Sequence, residues 1–85
     1  MTIVKVVMKD KRVFHGPLWL WRPEEGFFTL VLDHMHYPNI PKTEIENMVF
    51  RLDEVESAVD NGVRETIDMI VDVDLLARAR EQGWK

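Results

Sequence analysis

The segment Pro17-Leu18-Trp19-Leu20-Trp21 lies in a run of residues typical of a β-strand, and it is apolar on both sides. Successive side chains of a strand point to opposite faces, so the two leucines share one face and the two tryptophans share the other. A chain of 85 residues has one small core and can bury only one of these faces in it. We therefore expect the tryptophans to be covered by a second copy, by the chain's own C-terminal helix or by a nucleic-acid base.

Gly16 and Pro17 interrupt this predicted strand, which extends over residues 12–22. Proline cannot donate to a strand ladder and glycine permits a sharp turn of the backbone. The strand is therefore predicted to bend or bulge here and to pass from one sheet to another. A bulge would shift the alternation by one residue and exchange the tryptophan face with the leucine face. The strand is apolar on both sides in either register.

Alternation, turn residues and capping residues predict the other elements. Strands are expected at residues 2–9, 27–33, 44–51 and 55–59, with a turn at Asp10-Lys11, a loop at 34–43 and a single helical turn at 52–54. Lys11 is predicted to have a positive backbone angle, because the turn favours glycine at its position. A helix is predicted at about 73–82, because Asp74 can cap its start and Gly83 can end it. The β-branched residues of segment 63–73 leave open whether it is strand, loop or helix.

The composition is that of a single acidic domain without cysteines. The net charge is −4, but residues 1–22 hold five basic residues and one acid, a net of +4, and residues 53–74 hold eight acids and one base, a net of −7. The absence of cysteine excludes disulfides and thiolate metal sites and fits the reducing cytoplasm, where we expect the protein. No apolar run approaches the length of a membrane span and the N-terminus lacks the regions of a signal peptide, so neither is expected.

The order of these features resembles the small Src-homology-3-like (SH3-like) barrels, and among them the Sm-like proteins. Residues 4–18 contain a strand, an Asp-Lys-Arg turn, an aromatic, a glycine and a leucine, in the order of the first Sm-like motif, whose turn is Asp-Gly-Arg. Residues 28–33 lie where that family has its third strand, and the resemblance covers about residues 3–60. It implies a mainly β fold, with a five-stranded bent barrel at residues 1–62. An extension at 63–85 would follow, with its helix packed on the barrel or on a neighbouring subunit.

The chain departs from the Sm-like pattern in two respects. Sm-like proteins begin with a helix, whereas this chain begins with a predicted strand. Their RNA-binding signature after the third strand is absent, because residues 34–37 continue differently. The resemblance therefore supports a fold, supports ring formation less, and gives little reason to expect RNA binding.

We expect a non-enzymatic binding or assembly module that acts through contacts with itself or with another protein. A helix of about ten residues is not stable alone, so the predicted C-terminal helix must dock on an apolar face. The predicted interface combines the outer face of the barrel with the apolar stripe of this helix: Trp19, Trp21, Phe27, Val31, Leu75, Leu76 and Trp84. No catalytic residue and no cofactor are predicted, since the only serine, Ser57, lies in a predicted strand and no cysteine is present.

A second class of function is the binding of single-stranded nucleic acid. Small barrels bind such strands through aromatic surfaces on which bases stack and through cationic grooves. Here Lys9, Lys11 and Arg12 would form the cationic rim beside Trp19 and Trp21. The acidic charge of the whole chain makes nucleic acid the less favoured partner.

A third class is a metal-dependent activity centred on His34 and His36. If a strand continued through them, both imidazoles would point to one side and could share a metal ion. Zinc requires four ligands in a structural site, and no third ligand follows from the spacing. Two solvated histidines at the edge of a polar loop are the competing interpretation.

Overall fold

The computed structural model describes residues 3–45, 47–66 and 69–84, which form two antiparallel sheets and two helices. In chain order the elements are β1 (Val4–Met8), β2 (Val13–Gly16), β3 (Leu18–Arg22), β4 (Phe27–Leu30), α1 (Lys42–Ile45), β5 (Met48–Arg51), β6 (Val55–Thr66), β7 (Met69–Asp74) and α2 (Leu75–Glu81). Short 3₁₀ turns at Pro23–Glu25 and Leu52–Glu54 join β3 to β4 and β5 to β6. The prediction of a mainly β fold with a short C-terminal helix is confirmed.

The strands are divided between a sheet of order β2-β1-β6-β7 and a sheet of order β3-β4-β5. Within the described residues the two sheets do not close into a barrel. The chain passes from the first sheet to the second at Gly16-Pro17, as the sequence predicts. A Cβ atom on Gly16 would lie 2.5 Å from the backbone oxygen of Val31, so only glycine allows this crossing. The Pro17 carbonyl accepts a hydrogen bond from the Val31 N–H at 3.0 Å, which holds the bend in place.

The turn between β1 and β2 is also predicted correctly. Lys11 has a φ of 75°, a left-handed conformation that is uncommon outside glycine. Asp10 supports the turn, because its Oδ1 accepts a hydrogen bond from the Arg12 N–H at 3.1 Å. This bond is the main reason why the pKa of the Asp10 carboxyl is lowered, with the Arg12 guanidinium as a further cause.

Two predicted strands have different starting or end points in the structure. The strand expected at 44–51 begins only at Met48, because the Pro41 carbonyl accepts hydrogen bonds from Glu44 and Ile45 and starts the turn α1. The strand expected at 27–33 ends at Leu30.

The fifth predicted strand is longer than expected. It was expected to end before Asp60-Asn61-Gly62, whereas β6 continues to Thr66 and pairs with β7. The register of this pair shifts between Asp60 and Val63, so the turn-forming residues are accommodated as a bulge within the strand. Most of the segment that the sequence left open is therefore strand.

The core lies between the two sheets and is completed by α2. Phe28 and Phe50 are its largest fully buried side chains, with ring centroids 5.6 Å apart. The helix is capped as predicted, because Asp74 Oδ1 accepts hydrogen bonds from the N–H groups of residues 76 and 77. Leu75 and Leu76 are 3% and 8% exposed, so these two predicted interface residues lie in the core of their own chain. Neither helix in the described part of the chain is long and apolar enough to cross a membrane.

Candidate functional site

The two tryptophans of β3 have different environments. Leu18 pairs with Leu30 of β4, but Leu20 pairs with the adjacent Thr29, so Trp19 is the extra residue of a bulge. The expectation that both tryptophans share one face is therefore wrong. One added residue shifts the alternation, and as a result Leu18 and Trp21 pack on the core while Trp19 is 67% exposed.

Trp21 is covered by its own chain. Its ring centroid lies 5.9 Å from that of Phe28, and its indole N–H donates a hydrogen bond to the side-chain oxygen of Gln82, at the end of α2. Gly83 has a φ of 109°, and the Trp84 N–H donates to the Ala79 carbonyl at 3.0 Å, the long bond of a Schellman motif. Gly83, the residue predicted to end the helix, thus also helps to position Gln82, which binds the Trp21 indole.

The outer face of the three-stranded sheet is defined by Trp19, Leu20, Phe27 and Val49. Leu20 and Val49 flank Thr29 across the three strands, whereas the side chains of the alternating residues Phe28 and Leu30 are in the core. Val49 is 53% exposed, and Leu20 and Phe27 are half-buried. Thr29 is buried among them, and its hydroxyl oxygen accepts a hydrogen bond from the Leu20 N–H at 3.0 Å. The outer face therefore presents apolar side chains to the surroundings.

Arginines lie at one end of the outer face. Arg22 and Arg51 pair with Phe27 from the two neighbouring strands. Arg51 is 3.4 Å from the Asp53 carboxylate. Arg22 donates a hydrogen bond to the backbone oxygen of Trp21 at 3.2 Å, and it forms no ion pair with a carboxylate of residues 3–45, 47–62 or 72–84. An apolar surface with a cationic end is a common composition for a protein-binding site.

The other predicted interface residues lie at the borders of this surface. Trp84 is half-buried, packs against the core and has the Arg80 guanidinium 5.2 Å from its ring centroid. It shares a cleft of about 430 Å³ with Phe27 and Val49. Val31 is half-buried at a different cleft, which it lines with Pro17.

The residues of the nucleic-acid alternative do not form one surface around the tryptophans. Lys9, Lys11 and Arg12 are at the tip of the β1–β2 hairpin, at the end of β2 that is remote from the Gly16-Pro17 bend. Lys11 is 2.8 Å from the Glu56 carboxylate, and Arg12 is 2.7 Å from that of Asp10. Both cations are thus already paired with acids. The cationic rim and the stacking rings belong to different sheets.

His34 and His36 lie in a turn within the loop predicted at residues 34–43, so the strand that would place both imidazoles on one side is not formed. The cause is Asp33, whose Oδ1 accepts a hydrogen bond from the Met35 N–H at 2.9 Å and whose Oδ2 is 2.9 Å from His36 Nδ1. These contacts lower the pKa of the Asp33 carboxyl, the bond from Met35 being the larger cause. Within residues 3–45, 47–62 and 72–84, whose side chains the structure describes, no three His, Cys, Asp or Glu side chains are grouped as metal ligands would be.

A groove beside β2 is a feature that sequence reasoning missed. Its volume is about 560 Å³. Its apolar lining residues are Val13, Phe14, Tyr37, Pro38, Ile40, Pro41 and Met48, and its polar ones are Arg12, His36, Asn39 and Glu44. Phe14 and Tyr37 stack with centroids 5.7 Å apart, and the Tyr37 hydroxyl oxygen accepts a hydrogen bond from the His15 N–H at 2.9 Å. We call it the aromatic groove. The sequence predicted only a loop for Tyr37-Pro38-Asn39-Ile40-Pro41. This segment contains apolar residues of three types, tyrosine, proline and isoleucine, which is a signal that the loop packs against the rest of the domain.

The chain was compared with protein-family models, with curated proteins and with solved structures, and no match was found. The assignment of a function therefore depends on the geometry of the chain itself.

Proposed function

We propose that this chain is a small, non-enzymatic binding and assembly module that associates with further copies of itself through its exposed aromatic residue, Trp19. The observation that carries the proposal is the 67% exposure of this indole on the outer face, where Val49 is also 53% exposed. Aromatic side chains dominate the energetics of protein interfaces, and covering a mostly exposed tryptophan contributes on the order of 3 kcal/mol before the entropy of association is subtracted.

Self-association is supported by the charge distribution. The first 22 residues, which contain β3, have a net charge of +4, and residues 53–74 have a net charge of −7. Part of this opposite charge is already in contact within one chain, because β1 pairs with β6 and Lys11 is 2.8 Å from the Glu56 carboxylate. Arg22, at the end of β3, is a cation that remains for the acidic surface of a second copy, whose net charge is −4. A nucleic-acid partner has less support, since Lys11 and Arg12 of the hairpin tip are paired with acids and the hairpin belongs to a different sheet from the tryptophans.

The proposal extends from the mainly β architecture to a particular fold. We propose that the two sheets are those of an SH3-like barrel related to the Sm-like proteins. The passage of the chain between sheets at Gly16-Pro17 and the 3₁₀ turn at Leu52–Glu54 ahead of β6 support this assignment. Contacts between amide protons of the two sheets, measured by nuclear magnetic resonance, would test whether they close into a barrel.

The test is the mass of the protein in solution, measured by light scattering after size-exclusion chromatography across micromolar concentrations. The wild-type chain is expected to have a mass that is a multiple of 10.1 kDa. Trp19→Glu should be a monomer with an unchanged circular dichroism spectrum, because the indole contributes to association and little to the fold. The matched control is Met35→Glu, which adds the same charge at a residue that is 87% exposed in the 34–36 turn.

Two outcomes contradict the proposal. A wild-type chain that is a sharp monomer over the whole concentration range has no self-association to explain. A wild-type oligomer that Trp19→Glu leaves intact, or that Met35→Glu dissociates equally, is held together by some other surface.

A further inference from the structure

The protein has an exposed aromatic side chain, Trp19, which we call the knob, and an aromatic groove, and the two do not meet within one chain. Trp19 is on β3, on the outer face of the three-stranded sheet, whereas the groove is lined by Met48 of β5, at the opposite edge of that sheet. Met48 pairs with Leu30, whose side chain is in the core, so Met48 lies on the side away from the outer face. Since β4 lies between the two edges, their backbones are about 10 Å apart.

We infer that Trp19 of one copy binds in the aromatic groove of the next copy, so that the association is head-to-tail. This inference rests on the proposed function, and it adds the surface that receives the tryptophan. It also replaces a symmetric contact, in which two outer faces would meet, by a contact between two different surfaces.

The size and the chemistry of the groove fit an indole ring. Its volume of about 560 Å³ is larger than one side chain, and stacked aromatic rings and prolines form its walls. Aromatic pairs add about 0.5–1.5 kcal/mol to the burial of their area. An indole also needs an acceptor for its N–H, and the side chains of Asn39 and Glu44, which line the groove, contain the required oxygen atoms.

Arg22 near Trp19 and Glu44 in the groove have complementary charges, and the guanidinium that also lines the groove, that of Arg12, is 2.7 Å from the Asp10 carboxylate. Arg22 lies three residues after Trp19, about 10 Å along the strand. Glu44 lines the groove and is exposed. Among the side chains that the structure describes, those of residues 3–45, 47–62 and 72–84, neither Arg22 nor Glu44 has an ion-pair partner within 4 Å. Docking Trp19 into the groove brings this cation toward this carboxylate, which favours a second copy as the occupant.

A head-to-tail contact has a consequence that a symmetric one lacks. Each complex retains one unused knob and one unused groove, so the assembly continues until it closes into a ring or extends as a filament. A symmetric contact between outer faces would stop at two copies.

The test uses full-length variants in which either the knob or the groove is removed. Trp19→Ala lacks the knob and keeps the groove. Glu44→Arg keeps the knob and places a cation where Arg22 of the next copy arrives. Asn39→Trp is a second groove variant, in which an exposed residue is replaced by a ring that fills the groove. All three substitutions are at exposed positions, so circular dichroism should show a folded chain.

Each variant alone is expected to associate at least about tenfold more weakly than the wild type. An equimolar mixture of Trp19→Ala with Asn39→Trp, or with Glu44→Arg, should form a dimer of mass twice 10.1 kDa, because the intact knob of one fits the intact groove of the other. Adding more of either variant should not increase this mass, because the remaining knob and groove are both defective.

The inference is overturned if both groove variants associate as the wild type does while Trp19→Ala does not, since the contact is then symmetric and the proposed function stands. It is overturned equally if the mixtures stay monomeric while the wild type is an oligomer, since an intact Trp19 and an intact groove then do not bind each other. A wild-type chain that is always monomeric contradicts the proposed function itself, so the two failures are distinguishable.

Discussion

Trp21 and Trp19 stand two positions apart on the same strand, and they differ in almost every physical respect. Trp21 packs on Phe28, has its indole N–H bound by Gln82 and belongs to the fold. Trp19 is the bulge residue, is 67% exposed and contributes its ring to the surface. The difference arises from one inserted residue, since without the bulge the strict alternation of a strand would give both rings the same face. A single backbone irregularity thus separates a structural tryptophan from one available for binding.

The largest effect on the environments of the two tryptophans is expected for Gly16→Ala, because this substitution disrupts the bend that places β3 in the second sheet. The new methyl group would lie 2.5 Å from the backbone oxygen of Val31, and backbone cannot move aside as a flexible side chain would. We expect the free energy of unfolding, measured by urea denaturation, to fall by about 3 kcal/mol or more.

Gly26→Ala is the matched control for this substitution. Gly26 has a φ of 81° but no atom within 4 Å of the added methyl group. The substitution therefore adds only backbone strain, which should lower the free energy of unfolding by about 1 kcal/mol. If the two variants lost equal stability, the close crossing at Gly16 would not be what requires glycine there.

The next largest effect is expected for Trp21→Ala. Removing a half-buried ring that packs on the core should cost about 2–3 kcal/mol in urea denaturation. Trp19→Ala is the matched control, since the same atoms are deleted from an exposed position. Its loss of unfolding free energy should stay within about 0.5 kcal/mol. The oligomeric mass should respond in the opposite order, with Trp19→Ala lowering it and Trp21→Ala affecting it only through stability. Equal losses of stability in the two variants would mean that the bulge does not separate their environments.

How much of this could be predicted from the sequence depends on the range of the interactions concerned. The bend at Gly16-Pro17, the positive φ of Lys11 and the cap of α2 by Asp74 were predicted correctly, because each follows from the conformational preferences of one or two residues. The mainly β fold follows from alternation. These features need no knowledge of what lies across the sheet.

The features that sequence reasoning missed depend on contacts between distant segments. The bulge at Trp19 is a property of the register between β3 and β4, which depends on both strands. Pairing with β7 carries β6 through Asp60-Asn61-Gly62, a set of residues that alone favours a turn. The aromatic groove needs Phe14 and Tyr37, which are separated by 22 intervening residues in the chain and meet only in the fold. Local pattern therefore predicted the strands better than it predicted the surfaces between them.

The smallest effect is expected from acidification, and it concerns the surface proposed to receive Trp19. Asp33 holds the turn that leads to Tyr37, because the Tyr37 N–H donates to the Asp33 carbonyl and the Met35 N–H donates to its carboxylate. The bond from Met35, followed by that with His36, lowers the pKa of Asp33 below its ordinary value of 3.8. A carboxyl whose pKa is lower in the folded chain stabilises the turn above pH 3.8, and this contribution is lost as the pH falls through the folded value.

This dependence can be followed in the amide resonances of Met35 and Tyr37 by nuclear magnetic resonance. They should shift together with the carboxyl of Asp33 below pH 3.8, and Asp33→Asn should remove the transition, because an amide does not titrate in that range. The aromatic groove should loosen over the same interval and hold Trp19 of a neighbour less well, while the indole N–H of Trp21, bound to an uncharged amide, should keep its resonance. If both indole resonances changed together with Asp33, acid would be loosening the whole domain, and the two tryptophans would not be as independent as their environments indicate.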